Sequence, residues 1–234
     1  MKRSFCLKLT LLFSILLLSI APAATSAQDD VNSILTASSA KIAETQSLAF
    51  KLDVSGTTHI DPAGSIQLIS AEGKLARPNL VDVEFKIKLF GLQTVSIKMI
   101  TVGDKSWTTD LISGNWGPAP EEFGYDPSTL FDAQEGLGPL MGKIENAELV
   151  GEESVDDNDA WHITGTVQQS VIGEITANNM HGDVIALDLW IDKDSSDLLR
   201  AQLAEPTDGD IEDPATWTMD LRDQNEPVTI EPPI

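Results

Sequence analysis

The chain has 234 residues, with 37 Asp and Glu against 15 Lys and Arg, and its formal net charge at pH 7 is −22. Such an acidic surface repels phosphate backbones, which argues against nucleic acid as a partner. The one cysteine, Cys6, has no second thiol to pair with, so the fold has to be stabilised by packing and not by disulfides.

The first 27 residues have the pattern of a secretion signal. Basic residues precede the apolar run at residues 9–21, and the small residues Thr25 and Ala27 stand at the −3 and −1 positions of a cleavage site. The apolar run is shorter than the roughly 20 residues of a membrane span. We predict a signal peptide at residues 1–27, cleaved after Ala27, and one domain at residues 28–234, with an uncleaved signal anchor as the alternative.

Attachment of a lipid to an exported protein needs a cysteine directly after the apolar run of the signal. Ala27 and Gln28 stand in that place, whereas Cys6 precedes the run. The sequence therefore has no lipobox cysteine, and we expect an extracytoplasmic protein that is secreted or associated with the cell envelope.

The first element of the predicted domain is an amphipathic helix at residues 29–44, in which Val31, Leu35 and Ile42 recur at helical spacing. A strand at residues 47–60 and a return strand at 66–75 follow. The first of these strands places four apolar side chains on one face, and these are Leu48, Phe50, Leu52 and Val54.

The clearest pattern lies at residues 81–102, which predict two long strands joined by a tight turn at Phe90 and Gly91. Apolar and polar residues alternate in both strands, so the sheet has one apolar and one polar face. A short strand at residues 105–110 comes next. The apolar face of the hairpin contains Val81, Val83, Phe85, Ile87, Leu89, Val95, Ile97 and Met99.

The middle of the chain has a different character. Residues 111–126 are rich in Gly and Pro and predict a loop. Two short apolar helices follow, the first with Leu130 and Phe131 and the second with Leu137, Leu140 and Met141, and glycines interrupt this segment.

Strands resume at residues 147–155 and 160–167, and a short helix is predicted at 170–177. The last strands are predicted at 183–191, which carries Leu187 and Leu189, and then at 198–204, 216–221 and 228–230. Hairpin connections make such a sheet antiparallel. We therefore predict the α+β class, with a large curved antiparallel sheet of about ten or eleven strands and helices over its concave face.

No constellation of residues indicates catalysis or cofactor binding. The chain lacks a G-x-S-x-G nucleophile motif, an H-E-x-x-H zinc motif and a phosphate-binding glycine loop. Residues 192–197 resemble half of a calcium loop but lack its glycine and terminal Glu, and a solvated hairpin turn explains them equally well. We predict that the protein is not an enzyme and uses no metal or cofactor.

Several segments, taken in order along the chain, resemble a known protein family. They are Thr45-Gln46-Ser47-Leu48-Ala49-Phe50, Ala71-Glu72-Gly73-Lys74-Leu75, Val102-Gly103-Asp104-Lys105-Ser106-Trp107, Asp126-Pro127-Ser128-Thr129-Leu130-Phe131, Leu189-Trp190-Ile191-Asp192 and Asn225-Glu226-Pro227-Val228-Thr229-Ile230. This ordered set is similar to the LppX/LprA/LprF/LprG family of bacterial envelope lipoproteins, over nearly all of residues 28–234.

The resemblance implies a LolA-like fold, a half-barrel whose helices enclose an apolar cavity. It also implies a protein that carries lipids or glycolipids through the cell envelope without catalysis. The family has no site motif that could be transferred residue by residue. The missing lipobox cysteine departs from the lipid-anchored members and puts in doubt a carrier role fixed to a membrane.

The alternation of apolar residues, taken alone, is explained most simply by an ordinary core that the helices fill, whereas the family resemblance favours a cavity between sheet and helices. We predict that acyl chains contact the inward apolar face. The predicted lining residues are Leu48, Phe50, Leu52, Val54, Val83, Phe85, Ile87, Leu89, Val95, Ile97, Met99, Leu130, Phe131, Leu137, Leu140, Met141, Leu187 and Leu189.

The predicted partners are a lipid or glycolipid and, for delivery, an envelope protein. The alternative function is an envelope sensing or protein-interaction module on the same fold without lipid cargo. Because the net charge is strongly negative, we expect anionic membranes to repel the protein, so that any membrane contact is transient and involves zwitterionic lipid or a protein partner.

Overall fold

A single antiparallel sheet of eleven strands dominates the part of the chain that the structure describes, which is residues 23–61, 63–120, 127–207 and 211–233 of a computed structural model. The strands are β1 (Ser47–Ser55), β2 (Ile66–Ala76), β3 (Leu80–Leu89), β4 (Gln93–Val102), β5 (Lys105–Thr109), β6 (Trp116–Pro118), β7 (Glu145–Val155), β8 (Asn158–Gln168), β9 (Val184–Asp192), β10 (Leu198–Ala204) and β11 (Thr216–Arg222). Their spatial order is β6-β5-β4-β3-β2-β1-β11-β10-β9-β8-β7. The predicted curved antiparallel sheet is confirmed.

The two halves of the chain meet at the pairing of β1 with β11, where Phe50 lies opposite Leu221 and Val54 opposite Trp217. All other neighbouring strands are consecutive in sequence. Because every pair is antiparallel, the connections alternate between the two ends of the sheet. Five connections have their described residues at one end, which we call the open end; we call the opposite end the closed end. The described residues of these connections are 56–61 and 63–65, 90–92, 110–115, 177–183, and 205–207 and 211–215.

Helices cover the concave face of the sheet. They are α1 (Ala23–Glu44), a 3₁₀ helix (Pro127–Phe131), α2 (Leu137–Met141) and α3 (Gln169–Thr176). In α1, Val31, Leu35, Ser38 and Ile42 are buried at spacings of three and four residues, which confirms the predicted amphipathic helix. Within the described residues no helix has both the length and the hydropathy to cross a bilayer.

α1 packs against α2, and a hydrogen bond joins the two helices. The Ser39 hydroxyl donates a hydrogen bond of 2.8 Å to the backbone oxygen of Gly138. A Cβ atom on Gly138 would lie 3.4 Å from the backbone oxygen of Ser39, an ordinary van der Waals contact. The hydrogen bond from Ser39 therefore fixes α2 against α1.

A β-bulge determines which side chains of β2 reach the core. The register with β3 shifts between Leu68 and Ser70, so that Leu68 and Ala71 are both buried although they are three residues apart. Simple alternation along β2 would have assigned these two residues to opposite faces.

Three predicted elements differ from the structure. The first strand, predicted at residues 47–60, ends at Ser55, because Gly56 at a φ of +74° turns the backbone, and only an isolated bridge at His59 follows. The predicted loop at residues 111–126 contains the short strand β6, whereas residues 121–126 lie outside the described residues. The predicted strand at residues 228–230 is wrong. Pro227 and the following irregular backbone have no strand partner among the described residues, and Asn225 anchors this tail instead, because its side-chain oxygen accepts from the backbone N–H of Gln46 at 2.8 Å.

The predicted signal peptide is described only in its last residues. α1 begins at Ala23 and therefore includes the end of that segment, whereas residues 1–22, with Cys6, lie outside the described residues. Cleavage after Ala27 stays a prediction, as does the boundary of the domain at residue 28.

Candidate functional site

An apolar cavity of about 530 Å³ lies between the concave face of the sheet and the helices. Side chains from β1, β2, β3, β4, β9, β10 and β11 form its floor, and the 3₁₀ helix, α2 and α3 form its cover. The volume falls within the range of about 300–1,000 Å³ that small-molecule pockets occupy. Since nearly all of the lining side chains are apolar, the space suits a ligand that is mostly hydrocarbon.

Half of the eighteen predicted lining residues border this cavity. They are Phe50, Leu52, Phe85, Ile87, Ile97, Leu130, Leu137, Leu140 and Leu187. They come from four strands, the 3₁₀ helix and α2. The two that are furthest apart in the sequence, Phe50 and Leu187, are separated by 137 positions. Whether these residues contact a lipid stays a prediction.

The other nine predicted residues do not border the cavity, because alternation assigns a side chain to a face but not to a position along that face. Leu48, Val83, Met99, Phe131, Met141 and Leu189 are buried elsewhere in the core. Val54, Leu89 and Val95 pack half-buried against the core near the open end.

Thirteen lining residues were not among the predicted ones. They are Ile60, Asp61, Ile66, Leu68, Ala71, Ile175, Thr176, Ala177, Asn179, Ala201, Leu203, Trp217 and Met219. Ala201 and Leu203 lie two residues apart on one face of their strand, and so do Trp217 and Met219. This spacing is the same signal that identified Phe50 and Leu52, and it could have found these four. Those that lie in loops have no such periodicity.

The mouth of the cavity lies at the open end. Four half-exposed lining residues there belong to two connections, with Ile60 and Asp61 between β1 and β2, and Ala177 and Asn179 between α3 and β9, and a fifth, Ile66, begins β2. Asp61 and Asn179 are also the two lining residues with strongly polar side chains. The cavity is therefore apolar inside and polar where it meets solvent.

Asp61 at the mouth is held as a carboxylate by its own loop. Its Oδ1 accepts from the backbone N–H of Ile66 at 2.6 Å, and its Oδ2 accepts from the N–H and the hydroxyl of Ser65 at 3.1 and 2.9 Å. Desolvation pushes the pKa of Asp61 upward, but these donors outweigh it and hold the pKa below its ordinary value. The mouth thus carries a fixed negative charge at neutral pH.

Buried Glu205 ties together two loops beside the mouth. Its Oε1 accepts from the backbone N–H of His181 at 2.7 Å, and its Oε2 accepts from the N–H of Ala215 at 2.7 Å. A third loop is joined by Trp217, whose Nε1 donates to the Thr58 hydroxyl at 3.0 Å. These bonds fix the open-end loops relative to one another.

Arg77 holds the cover of the cavity at the closed end. Its guanidinium donates to the backbone oxygens of Thr45 at 2.8 Å and of Phe131 at 3.1 Å, and it lies 4.7 Å from the centroid of the Phe131 ring. One side chain, directly after the end of β2, therefore links the end of α1 to the 3₁₀ helix. The cover is fastened at the closed end, opposite the mouth.

The convex face carries a separate polar cluster. The Nδ1 atom of His162 lies 2.9 Å from Oε1 of Glu153, and its Nε2 lies 2.8 Å from Oδ1 of Asp188. The His162 ring stacks on the Trp190 ring, with 4.4 Å between the ring centroids. Hydrogen bonds from Trp190 and His162 lower the pKa of Glu153. The cluster braces β7, β8 and β9 from outside the cavity.

In the described part of the chain, no group of three or more His, Cys, Asp or Glu is arranged to hold a metal ion.

Comparison with known proteins places the chain in a family. The profile of the LppX_LprAFG lipoprotein family matches residues 30–230, which is most of the sequence. The chain belongs to this family, as the resemblance indicated.

Individual relatives agree with this assignment. The lipoarabinomannan carrier protein LprG of Mycolicibacterium hassiacum is 30% identical over 173 residues, which cover 70% of this chain and 69% of that protein. The crystal structure of LprF from Mycobacterium bovis has a TM-score of 0.71 at 19% identity and covers 88% of this chain and 97% of that one. The crystal structure of LppX from Mycobacterium tuberculosis has a TM-score of 0.60 at 18% identity, covering 87% and 99%. At these identities the two structures show a shared fold.

Proposed function

We propose that the protein is a lipid carrier that shelters acyl chains in the cavity between the sheet and the helices. The observation that carries the proposal is the apolar space of about 530 Å³ inside an otherwise well-buried core. Protein interiors are close-packed, and a space of this size is not expected in a core that serves only stability. Membership of a family that includes a protein named as a lipoarabinomannan carrier supports the same function.

The cavity chemistry accounts for affinity without specific polar contacts. Transfer of hydrocarbon out of water contributes about 0.8 kcal/mol per CH₂ group, so a chain of about 16 carbons gains roughly 12 kcal/mol before ordering costs are subtracted. The lining side chains supply the apolar surroundings for this transfer.

An amphipathic cargo has one favourable orientation in this site. Its acyl chains lie in the apolar interior, while its headgroup stays at the mouth beside Asp61 and Asn179. The carbohydrate headgroup of a glycolipid fits there, because its hydroxyl groups can donate to carboxylate and amide oxygens. The work of this carrier is extracytoplasmic, which agrees with the predicted signal peptide and with membership of a lipoprotein family.

The experiment is lipid extraction from the natively purified protein, followed by mass spectrometry. Ala201 lines the cavity, so Ala201→Phe fills part of it, whereas Ala37→Phe on the exposed side of α1 is a matched control. We expect diacyl or triacyl lipid from the wild type and from Ala37→Phe, and severalfold less from Ala201→Phe. Ala71→Leu, also at the cavity wall, is the second variant if Ala201→Phe folds poorly.

A folded wild-type protein that yields no acyl lipid would contradict the proposal. Equal yields from the wild type and from both cavity variants, with unfolding transitions that show them to be folded, would show that lipid binds elsewhere. Both results are readable from the same samples.

A further inference from the structure

The turn between β3 and β4 presents two large apolar side chains to solvent. Phe90 is 75% exposed and Leu92 is 88% exposed. The backbone N–H of Leu92 donates to the oxygen of Leu89 at 2.9 Å, and both central residues have positive φ, +50° at Phe90 and +67° at Gly91. Such turns favour Asn or Gly at the position that Phe90 occupies, and a bulky residue there is an outlier. Neither packing nor turn geometry accounts for this phenylalanine.

This apolar tip adjoins the mouth of the cavity. Leu89, the residue before the turn, is the register partner of Ile66, which lines the cavity. The N–H of Phe90 donates at 2.8 Å to the backbone oxygen of Ser65, the residue that holds the Asp61 carboxylate. The tip and the mouth are therefore joined by direct hydrogen bonds and sit at the same end of the sheet.

The hairpin also extends past its neighbour on one side. β5 pairs only with residues Met99 to Val102 of β4. β4 continues from Met99 back to Gln93, about 20 Å of strand at a rise of about 3.4 Å per residue. The apolar tip is therefore carried well beyond β5.

The part of this hairpin nearest the tip has a charge opposite to that of the whole chain, whereas Asp82 and Glu84 lie further from the tip on β3. Residues 85–103 contain Lys86, Lys88 and Lys98 and no acidic residue, although the chain carries a net charge of −22. Lys98 lies 3.6 Å from Glu84, whereas Lys86 is exposed on the outer face close to the tip. At physiological ionic strength charges are screened beyond about 8 Å, so the potential at the tip is set by these lysines together with the nearby Asp61 carboxylate, and much less by the distant carboxylates of the chain.

We propose that the tip of the β3–β4 hairpin docks the protein on the surface of an anionic phospholipid bilayer. Phe90 and Leu92 enter the boundary between headgroups and acyl chains, and Lys86 and Lys88 contact anionic headgroups. Docking in this way brings the mouth against the bilayer, where a lipid can pass between membrane and cavity. This last step rests on the proposed function, whereas docking itself does not. The net charge alone led to the opposite expectation for anionic membranes.

The test is flotation with two kinds of vesicle, phosphatidylcholine alone and an equimolar mixture of phosphatidylcholine and phosphatidylglycerol. The variants are Phe90→Asn, which gives the turn its preferred residue, and Leu92→Ser. Val150→Ser is the matched control, because Val150 is 56% exposed on β7, at the far edge of the sheet from this hairpin. All proteins carry the same N-terminus, so any contribution of residues 1–27 to binding is common to all.

We expect the wild type and Val150→Ser to bind the mixed vesicles equally, and Phe90→Asn to bind them about tenfold more weakly while folding at least as well. Leu92→Ser should lose a similar factor. Lys86→Gln and Lys88→Gln should each weaken binding to the mixed vesicles about fivefold and leave binding to phosphatidylcholine unchanged.

The proposal is overturned if the wild type does not float with either vesicle, if Phe90→Asn and Leu92→Ser bind as the wild type does, or if binding falls as phosphatidylglycerol is added. Lipid extraction from the same samples separates this proposal from the proposed function. If the protein does not bind vesicles but lipid is still extracted from it, only the proposed docking surface is contradicted. If flotation depends on the tip as expected but no lipid is extracted, only the proposed carrier function is contradicted.

Discussion

The inner face of the sheet is packed solid over β8 and most of β9, where only Leu187 borders the cavity, and hollow over β1 to β4, β10 and β11. Ile163, Val167, Ile185 and Ile191 are each at most 1% exposed and do not border the cavity. Phe50, Leu52, Phe85 and Ile97 are also buried from bulk solvent, but they border it. Both regions have the same alternation of apolar and polar residues, so the pattern that makes a strand one-sided does not determine whether its apolar face is filled.

The difference arises from what covers each region. α3 lies against β8, and its Ile172 is completely buried there and does not border the cavity. Over β1 to β4 the cover includes the 3₁₀ helix and α2, which have five residues each. From these two elements only Leu130, Leu137 and Leu140 reach the cavity. Two elements of this length carry too few inward side chains to fill a curved sheet.

The largest expected effect is on the free energy of unfolding, when one leucine from each region is replaced by alanine. Leu189→Ala in the packed region should lower the free energy of unfolding by about 4 kcal/mol, whereas Leu52→Ala at the cavity wall should lower it by about 2 kcal/mol. The reason is that Leu189 is surrounded by packed atoms, while Leu52 already lacks neighbours on its cavity side. Urea unfolding of the lipid-free proteins measures both values, and equal losses would show that the hollow is packed in solution.

A smaller effect is expected at the fastening of the cover. Arg77→Ala removes hydrogen bonds to the backbone oxygens of Thr45 and Phe131, and it should cost about 2–3 kcal/mol of unfolding free energy. Arg77→Lys should recover little of this, because an ammonium group lacks the forked geometry that reaches both oxygens. The same two variants should release bound lipid faster than the wild type, measured by transfer of a fluorescent fatty acid to vesicles. Release at the wild-type rate from a destabilised Arg77→Ala would mean that the cover does not open at this end.

The smallest expected effect is the dependence on pH of the stability that Asp61 contributes at the mouth of the cavity. The pKa of Asp61 is below its ordinary value in the folded protein, so its contribution to stability is complete above the unfolded-state pKa of about 4 and is lost as the pH falls through the lowered pKa. The difference in thermal midpoint between the wild type and Asp61→Asn should therefore be greatest at neutral pH and shrink in acid.

Asp110 provides a matched control for this prediction. Its pKa is lowered by the N–H and hydroxyl of Ser113 and the N–H of Ile112, but it lies in the β5–β6 turn and does not line the cavity. Asp110→Asn should show the same dependence on pH and leave lipid retention unchanged, whereas Asp61→Asn should alter retention. A difference between the wild type and Asp61→Asn that grows as the pH falls would contradict the account of the mouth.

The sequence predicted the fold well because the information needed was local. Alternation placed ten strands, and hairpin connections set their antiparallel order. The short strand β6 was missed because three residues, one of them Pro118, give too little periodicity to recognise. The predicted strand at residues 228–230 failed because nothing local revealed that β1 already has neighbours on both sides, β2 and β11.

The site was harder to predict because it depends on distant parts of the chain. Leu52 and Leu48 are indistinguishable by periodicity, yet Leu52 borders the cavity and Leu48 does not. The position of the cover along the sheet decides between them, and the cover is held by α1, by Arg77 and by the hydrogen bond from Ser39 to Gly138. Asn179 lies in a loop, where no spacing rule applies. The cavity itself was implied by the family resemblance and not by periodicity.

The most direct test of the central claim is an isotope-edited NOE experiment on the protein loaded with a fatty acid that carries ¹³C in its chain. We predict NOEs from the labelled methylene groups to the methyl groups of Leu52, Ile87 and Leu203 at the cavity, and none to Ile185 and Ile191 in the packed region. Contacts to the second group, or an absence of contacts to either while the fatty acid is bound, would contradict the claim that hydrocarbon is sheltered between the curved sheet and its short helices.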